Sequence, residues 1–593
     1  MSKTKRSCGV LLPVASLPSK YGIGSFSKEA YAFVDFIAEA GQTYWQILPL
    51  GQTGYGDSPY QSFSTFAGNP YFIDLDELVD EKYLKEPEIA AAMVLAVRGA
   101  KVTDSAIDAI AATILGQDYP WEGLPSEVTD LILELRTHTA PLPMKIQWAV
   151  GGCGIDNPGY VNYEHIYYSR LPLLRRACAG SPYALRPEGV WAEKQYDPLR
   201  KEFAKFVKEN EDWLPDYALY SAIKEENGGC CYIEWEEKLR TRDQAALDEA
   251  KVRLAEEIRV YEFEQFFFAK QYLALKSYAN EKGIKIIGDI PIYVAFDSAD
   301  TWSHPELFKL DEEGYPEVVA GCPPDAFSAT GQLWGNPIYR WDYHKKTDYA
   351  WWMERLAHCF ELYDVLRIDH FRGFDEYWEI PYGDETAERG KWVAGPGYDL
   401  FRVMKEKLGD RAIIAEDLGY LTPSVLELVK KTGYPGMKVL QFAFDPYGDS
   451  DYLPHNYLDT NCVAYTGTHD NETSRGWYGS IGEGERRFVS DYCGIKDESE
   501  AADAMIRAAL MSTADTAVIP MQDYLNLGNE ARINHPSTLG GGNWEWRIKK
   551  EQLTPELNGR MQRMAVTFRR LRKAEKPAAG EDSRDENAAE TEE

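Results

Sequence analysis

The chain has 593 residues, and 64 lysines and arginines against 95 aspartates and glutamates give it a net charge of −31 at pH 7. A field of this sign repels phosphate backbones and anionic lipid surfaces, so the composition argues against nucleic acid or a membrane as a partner. The length exceeds that of one ordinary domain, although a barrel with insertions can hold much of such a chain around one core.

The amino terminus and the cysteines predict a reducing, cytoplasmic location. Basic residues at the start precede only a short apolar stretch, residues 10–14, which Pro13 interrupts, so no signal peptide is indicated. No window approaches the roughly 20 apolar residues of a membrane span. The nine cysteines lack C-x-x-C spacing, so they predict neither a zinc site nor a disulfide framework.

Eight short apolar runs are candidates for strands buried on both faces. In chain order they are residues 8–17, 43–50, 284–294, 364–370, 412–417, 437–444, 462–469 and 516–520. Helical patterns separate several of them, at residues 28–40, 252–282 and 424–431. Eight strands that alternate with helices predict an α/β protein whose core is a (β/α)₈ TIM barrel.

The gap between the second and third candidate strands is too long for a simple βα connection. We therefore expect residues 51–283 to hold inserted subdomains, mainly helical, together with barrel-connecting helices. Residues 1–50 would begin the catalytic barrel and residues 284–573 would complete it. Residues 574–593 have almost no large apolar side chains and many acids, a composition that predicts a disordered tail.

Three of the apolar runs end in carboxylates, namely Asp369, Glu416 and Asp470. The carboxyl ends of barrel strands are where such enzymes keep their chemistry. Retaining cleavage of a glycosidic bond needs a carboxylate nucleophile and a protonated acid about 5 to 5.5 Å apart. Asp369 and Glu416 end neighbouring predicted strands, so both can reach one bond, while Asp470 can bind sugar hydroxyls across the pocket.

Two further residues belong to this pattern. Arg367 lies two residues before Asp369, hence on the same strand face, where a guanidinium can hold the carboxylate ionised. His469 adds a hydrogen-bond donor for a sugar hydroxyl. Taken singly, Asp369 or Asp470 is equally typical of a helix N-cap, and alternation along a strand does not choose between Glu416 and Asp417.

The sequence gives no indication of a cofactor. No Gly-rich nucleotide fingerprint follows a strand, so no organic cofactor is expected. Nine scattered histidines supply no obvious metal-ligand set, which argues against a metalloenzyme barrel.

Three stretches carry a family resemblance: DVLRIDHFRGF at 364–374, AEDLG at 415–419 and TGTHDNET at 466–473. They resemble the catalytic motifs of the 4-α-glucanotransferase family, called amylomaltase or disproportionating enzyme, within the wider α-amylase clan. Further segments resemble the same family, at 11–26, 54–75, 288–302, 321–339 and 526–547. The resemblance runs from about residue 7 to residue 572, except between about 84 and 158, where we find no family motif.

The resemblance implies roles for individual residues. Asp369 would be the nucleophile that forms a covalent glycosyl enzyme, Glu416 the general acid and base, and Asp470 the transition-state stabiliser. The resemblance alone selects Glu416 over Asp417. It also implies a set of substrate-binding or site-supporting residues: Arg367, His469, Tyr60, Ser58, Gln332, Trp334, Asn534 and Asp289. Gln332 and Trp334 would lie on a loop that overhangs the cleft.

The implied activity is transfer of an α-1,4-glucan segment from a donor to the 4-hydroxyl of an acceptor. Donors and acceptors would be α-1,4-glucans and maltooligosaccharides, with glucose as a further acceptor and no cofactor. Two alternatives remain open at this point, an α-1,4-glucan hydrolase on the same barrel and a non-catalytic glucan-binding protein. Oligomeric state and preferred chain length are not indicated.

Overall fold

The computed structural model describes residues 6–54, 56–121, 123–137, 159–324, 328–419 and 421–572. Within these ranges the chain forms twelve strands in two sheets. The strands are β1 Ser7–Leu11, β2 Tyr44–Gln46, β3 Lys285–Ile290, β4 Val318–Cys322, β5 Gln332–Pro337, β6 Val365–Ile368, β7 Glu376–Pro381, β8 Lys391–Ala394, β9 Ile413–Ala415, β10 Gly436–Val439, β11 Cys462–Tyr465 and β12 Thr516–Pro520.

The larger sheet is a barrel of eight parallel strands in the order β10-β11-β12-β1-β2-β3-β6-β9. The Ala415 amide donates to the Pro435 carbonyl oxygen at 2.9 Å and so joins β9 to the start of β10, which nearly closes the ring. Consecutive barrel strands are neighbours, as right-handed βα units require. The predicted (β/α)₈ barrel is therefore confirmed.

Each of the eight predicted runs contains one barrel strand, but most strands end earlier than predicted. The first run was expected to reach residue 17, whereas β1 ends at Leu11, and the third was expected to reach 294, whereas β3 ends at Ile290. Residues beyond these ends stay buried, among them Val14, Leu17 and Ile292, because loops cover the mouth of the barrel. Because these residues are also buried, the apolar pattern continues beyond the last hydrogen-bonded residue of each strand. The pattern alone therefore does not show where the strand ends.

Helices surround the barrel and fill much of the long gap between β2 and β3. The helices are Lys28–Glu39, Leu75–Asp80, Glu86–Val97, Asp104–Ile114, Ser126–Thr137, Tyr163–Ala179, Asp197–Glu209, Leu214–Glu226, Glu237–Arg240, Gln244–Arg253, Ala255–Glu281, Ala299–Ser303, Trp341–Lys346, Ala350–Leu362, Tyr398–Leu408, Pro423–Thr432, Ser474–Ser480, Glu483–Cys493, Ala501–Met511, Met521–Tyr524 and Pro555–Thr567. None of the helices in the described ranges is both long and apolar enough to cross a membrane.

The region without family motifs is partly described. Up to residue 137 it holds three helices, Glu86–Val97, Asp104–Ile114 and Ser126–Thr137, which pack on one another and on Tyr163–Ala179. Residues 138–158 and the predicted tail at 574–593 lie outside the described residues. The proposed division of the chain into domains stays a prediction.

A second, antiparallel sheet was not predicted from the sequence. Its four strands follow the order β5-β4-β7-β8 and come from the chain between β3 and β9. Gln332 and Trp334 were expected on a loop over the cleft, but both lie in β5, which pairs with β4. Glycines at 321, 331 and 335 obscure the strand pattern there, since glycine disfavours strands.

One buried carboxyl in the long helix Ala255–Glu281 gives a testable consequence for stability. Glu264 is 1% exposed, and its Oε2 has no hydrogen-bond partner among the described residues. Burial raises the pKa of Glu264 to about 8. Between pH 4.5 and pH 8 the unfolded chain thus releases a proton that the folded protein keeps, so this group lowers stability as pH rises through that window.

We expect Glu264→Gln to stabilise the protein relative to wild type at pH 8.5, with a smaller or opposite effect at pH 5. The reason is that at pH 8.5 ionisation of Glu264 stabilises the unfolded chain more than the folded protein, whereas a glutamine has no proton to lose in either state. The measurement is the thermal unfolding midpoint of both proteins at the two pH values. Glu281→Gln removes an exposed charge from the same helix and is the matched control. An equal shift of Glu264→Gln at both pH values would contradict the prediction.

Candidate active site

Asp369, Glu416 and Asp470 lie at the carboxyl ends of β6, β9 and β11, at one mouth of the barrel. The Asp369 amide donates to the Ile290 carbonyl oxygen of β3 at 2.9 Å, and the Glu416 amide donates to the Ile368 carbonyl oxygen of β6 at 3.1 Å. These bonds continue the ladder one residue past the strands. They fix the backbones of Asp369 and Glu416 side by side.

The Arg367 guanidinium links two carboxylates inside the barrel. Its Nη1 donates to both oxygens of Asp289, at 2.7 and 2.6 Å, and lies 3.0 Å from Asp369 Oδ1. The side chains of Arg367 and Asp289 are 3% and 0% exposed. Burial alone would lower the pKa of Arg367, but the charges of Asp289 and Asp369 outweigh it and hold the pKa well above its usual range. Arg367 therefore stays charged and fixes Asp369 from below.

Asp369 and Glu416 differ in their affinity for a proton. Burial raises the pKa of Asp369 to about 6, and Arg367 opposes the rise. Burial, followed by the charge of Asp369, raises the pKa of Glu416 to about 8. At pH 7 Asp369 is mostly a carboxylate and Glu416 mostly a carboxylic acid. A pair of carboxyls separated in this way can supply a nucleophile and a proton donor to one bond.

The backbone beside Glu416 aims its carboxyl group. The His370 amide donates to Glu416 Oε2 at 2.7 Å and the Leu418 amide donates to Oε1 at 3.0 Å. His370 also has a left-handed backbone, with φ of 49°. His370 was not among the predicted site residues, although it directly follows Asp369 in the first family-like stretch.

Glu416 and Asp417, between which the strand pattern did not choose, point in different directions. Asp417 Oδ1 accepts a hydrogen bond from the Met437 amide at 2.7 Å, at the seam between β9 and β10. Gly436 makes this approach possible, because a Cβ there would collide with the Asp417 carboxylate. Asp417 thus ties the barrel closed, while Glu416 stands beside Asp369.

Asp470 is held by two neighbours and faces an open space. Asn534 Nδ2 donates to Asp470 Oδ1 at 2.7 Å, and His469 Nε2 lies 3.2 Å from Asp470 Oδ2. The Asn534 amide also donates to the His469 carbonyl oxygen at 3.2 Å. The Asp470 side chain is 43% exposed, so its carboxylate remains available to hydroxyl groups in the cleft.

Tyr60 connects the Asp470 side of the cleft to the buried ion pair. Its hydroxyl donates to Asp289 Oδ2 at 2.8 Å and therefore accepts from His469 Nε2, at 3.0 Å. The Tyr60 ring stacks on His469 with centroids 5.3 Å apart, and Trp544 lies 5.9 Å from both rings. Burial and the charge of Asp289 hold the pKa of Tyr60 well above 10, so it stays a donor. Trp544, within the family-like stretch 526–547, was not singled out by the sequence analysis.

The remaining predicted residues lie farther out in the network. Ser58 Oγ accepts from the Tyr60 amide at 3.3 Å and shapes the turn that carries Tyr60. Trp334 Nε1 donates to Gln332 Oε1 at 3.1 Å, and the Trp334 ring packs edge-on against His370 with centroids 4.9 Å apart. Within the described residues these three side chains form no hydrogen bond with Asp369, Glu416 or Asp470.

Comparison with known proteins bears on this site as a whole. A sequence model of the 4-alpha-glucanotransferase family matches residues 12–554. The chain belongs to this family. A 4-alpha-glucanotransferase of Clostridium butyricum is 44% identical over 559 residues, which cover 94% of this chain and 99% of that protein. One from Streptococcus pneumoniae is 43% identical over 571 residues, which cover 96% of this chain and 98% of the relative.

Solved structures agree with the sequence relatives. The amylomaltase from Streptococcus agalactiae in complex with acarbose superposes with a TM-score of 0.79 at 38% identity, covering 95% of this chain and all of that one. Amylomaltase from Corynebacterium glutamicum, at 16% identity, has a TM-score of 0.66 and shares the fold. The sequence-based identification as a 4-α-glucanotransferase is confirmed, and the protein is an enzyme that transfers glycosyl groups.

Proposed function

We propose that this 4-α-glucanotransferase moves α-1,4-glucan segments by a retaining double displacement in which Asp369 forms a covalent glycosyl ester. The observation that carries the proposal is the pair of adjacent carboxyls, Asp369 held by Arg367 and Glu416 held by the His370 and Leu418 amides, in which burial and the charge of Asp369 give Glu416 the higher pKa. The substrate class follows from the family and from the relatives named above.

In the first half-reaction an Asp369 oxygen attacks the anomeric carbon of the donor. The bond from that carbon to the departing O4 breaks, and the Glu416 carboxylic acid gives its proton to that oxygen. The new reducing-end fragment leaves, and Glu416 becomes a carboxylate. Arg367 donates to Asp369 Oδ1 at 3.0 Å and orients the nucleophile throughout.

In the second half-reaction the acceptor's 4-hydroxyl attacks the same carbon. Glu416, now a carboxylate, takes the hydroxyl proton, and the ester bond to Asp369 breaks. Two inversions restore the α configuration, one α-1,4 bond is lost and one is gained, and no cofactor is consumed. Glucose qualifies as an acceptor because it carries the same 4-hydroxyl as a glucan end.

The Asp470 side of the cleft would hold the sugar as its ring distorts. Asp470 accepts hydrogen bonds from ring hydroxyls, and Asn534 and His469 keep its two oxygens in place. Tyr60 stays protonated and joins this group to Asp289 through hydrogen bonds of 2.8 and 3.0 Å. Asp289, fully buried and bound to Arg367, supports the site from beneath and does not touch the sugar.

Whether the enzyme transfers or hydrolyses depends on whether an acceptor hydroxyl or a water molecule attacks the glycosyl ester. We propose that the segment bearing Gln332 and Trp334 binds the acceptor glucan, since Trp334 packs on His370 next to Glu416. A bound acceptor has a high effective concentration relative to a passing water molecule. An α-1,4-glucan hydrolase would carry out the same first half-reaction and would differ only in using water as the acceptor.

Incubation with maltotriose alone tests the proposal. We expect glucose together with a ladder of longer maltooligosaccharides, at a constant number of reducing ends. Isotopically labelled glucose added to maltohexaose should enter the new oligomers. Reducing ends that rise with turnover, with no product longer than the substrate, would make the protein a hydrolase. Binding of maltooligosaccharides without any turnover would favour the non-catalytic alternative.

A further inference from the structure

A cleft of about 200 Å³ lies outside the barrel, in the surrounding layer of helices. Helices Leu214–Glu226, Ala299–Ser303 and Ala350–Leu362 contribute to its walls, together with residues 64–66 and the segment that precedes Leu214. Among the described residues its lining includes none of the catalytic or substrate-binding side chains discussed above. Its volume is below the roughly 300 Å³ of a typical drug-sized site, so it suits a single ring.

The lining of the cleft includes a pair of aromatic rings. Phe66 and Trp213 are both partly exposed and stack on each other, with centroids 6.1 Å apart and an interplanar angle of 15°. Trp213 Nε1 donates to Asn210 Oδ1 at 3.0 Å, which fixes the indole in place. His358 packs against both rings, at 5.6 and 5.8 Å. A fixed, partly exposed aromatic pair of this kind suits the apolar C–H face of a pyranose.

Several of the polar groups beside these rings are hydrogen-bond acceptors. Asp212 and Glu354 are exposed, and within the described residues neither side-chain carboxylate accepts a hydrogen bond or belongs to an ion pair. His358 Nε2 donates to the Phe66 carbonyl oxygen at 2.9 Å, so Nδ1 of the neutral ring carries a lone pair. Burial lowers the pKa of His358 to about 4, which keeps the ring neutral at pH 7. A ligand that contacts these three groups must bring donors, as a sugar hydroxyl does.

We propose that this cleft is a second, non-catalytic binding site for one pyranose of an α-glucan, packed against the Phe66–Trp213 pair and hydrogen bonded to Asp212 and Glu354. The inference rests on the proposed function, which supplies the glucan. A glucan long enough to occupy both this cleft and the barrel site would bind more tightly, whereas a trisaccharide gains nothing from the second site.

An organic cation is the competing ligand, because carboxylates and aromatic rings also attract ammonium groups. The arrangement of the rings favours the sugar. A cation cage needs ring faces that converge on one point, whereas Phe66 and Trp213 are nearly parallel. Of the other acids in the lining, Glu209 and Asp216 already pair with Lys205 and Arg242, while the exposed Glu361 has no ion-pair partner among the described residues.

The test compares long and short substrates in two kinds of variant. Trp213→Ala removes half of the aromatic pair, and the double variant Asp212→Asn with Glu354→Gln removes the acceptors' charge at constant shape. We expect the KM for amylose to rise about fivefold in each, with kcat/KM for maltotriose within twofold of wild type. Tyr168→Ala removes another half-exposed aromatic ring, on helix Tyr163–Ala179, and is the matched control.

A direct binding measurement separates this inference from the proposed function. Asp369→Asn, with and without Trp213→Ala, is run on native gels that contain amylose. Weaker retardation of the double variant supports the site whether or not the wild-type enzyme disproportionates maltotriose. Equal retardation and an unchanged KM for amylose in both cleft variants would overturn the inference while leaving the transfer activity intact. A fluorescence change on adding spermidine, but not maltoheptaose, that is present in the wild type and absent in Trp213→Ala would overturn it in favour of a cation site.

Discussion

Asp369→Asn is expected to reduce kcat/KM for maltotriose by roughly 10⁴- to 10⁶-fold, as loss of a covalent nucleophile does in other enzymes. The amide keeps the shape of the carboxylate and can still accept from Arg367, but it cannot form the glycosyl ester. The measurement is release of glucose from maltotriose over long incubations. Asp417→Asn is the matched control, since it makes the same change at a carboxyl that binds the Met437 amide outside the cleft.

Chemical rescue makes this prediction sharper. In Asp369→Ala, azide can enter the space that the lost carboxylate leaves and attack the anomeric carbon of an activated α-glycosyl fluoride directly. A single displacement inverts the centre, so Asp369→Ala with azide should yield the β-glycosyl azide. Retention of full activity in Asp369→Asn, or an α-azide product from Asp369→Ala, would show that another group is the nucleophile.

Glu416→Gln is expected to lose about 10³-fold or more in kcat/KM for maltotriose but far less in the first half-reaction with an α-maltosyl fluoride. Fluoride leaves without a proton, so only the second half-reaction then needs Glu416. The glycosyl ester on Asp369 should accumulate and be found by mass spectrometry of the peptide that contains residue 369. Azide, which needs no base, should release it as the α-glycosyl azide.

The pH profile separates the two carboxyls further. Wild-type kcat/KM should follow a bell with apparent pKa values near 6 and 8, because the pair is active only with Asp369 deprotonated and Glu416 protonated. Activity therefore falls below pH 6 as Asp369 gains a proton, and above pH 8 as Glu416 loses one. With the fluoride donor, Glu416→Gln should keep the acidic limb and lose the alkaline one. An alkaline limb that persists in this variant would assign it to another group.

The sequence by itself determined the barrel and the positions of its three acids. Each strand is buried on both faces, so its residues are apolar throughout, and that signal does not depend on distant parts of the chain. The eight predicted runs, in order, became the eight strands of the barrel. Each of the three acids follows an apolar run, and the motifs around Asp369, Glu416 and Asp470 carried the family assignment that the comparisons confirm.

Only the tertiary structure decided how these acids differ. Glu416 and Asp417 are adjacent carboxyls with the same local signal, but Asp417 accepts from the Met437 amide of the next strand, whereas Glu416 accepts from the His370 and Leu418 amides. The left-handed backbone of His370 and its amide contact with Glu416 leave no trace in a hydrophobic pattern. The antiparallel sheet and the cleft beside Phe66 likewise depend on segments far apart in the chain. The local hydrophobic pattern indicates which side chains are buried. The pKa value and the contacts of a side chain depend instead on which groups from distant parts of the chain surround it.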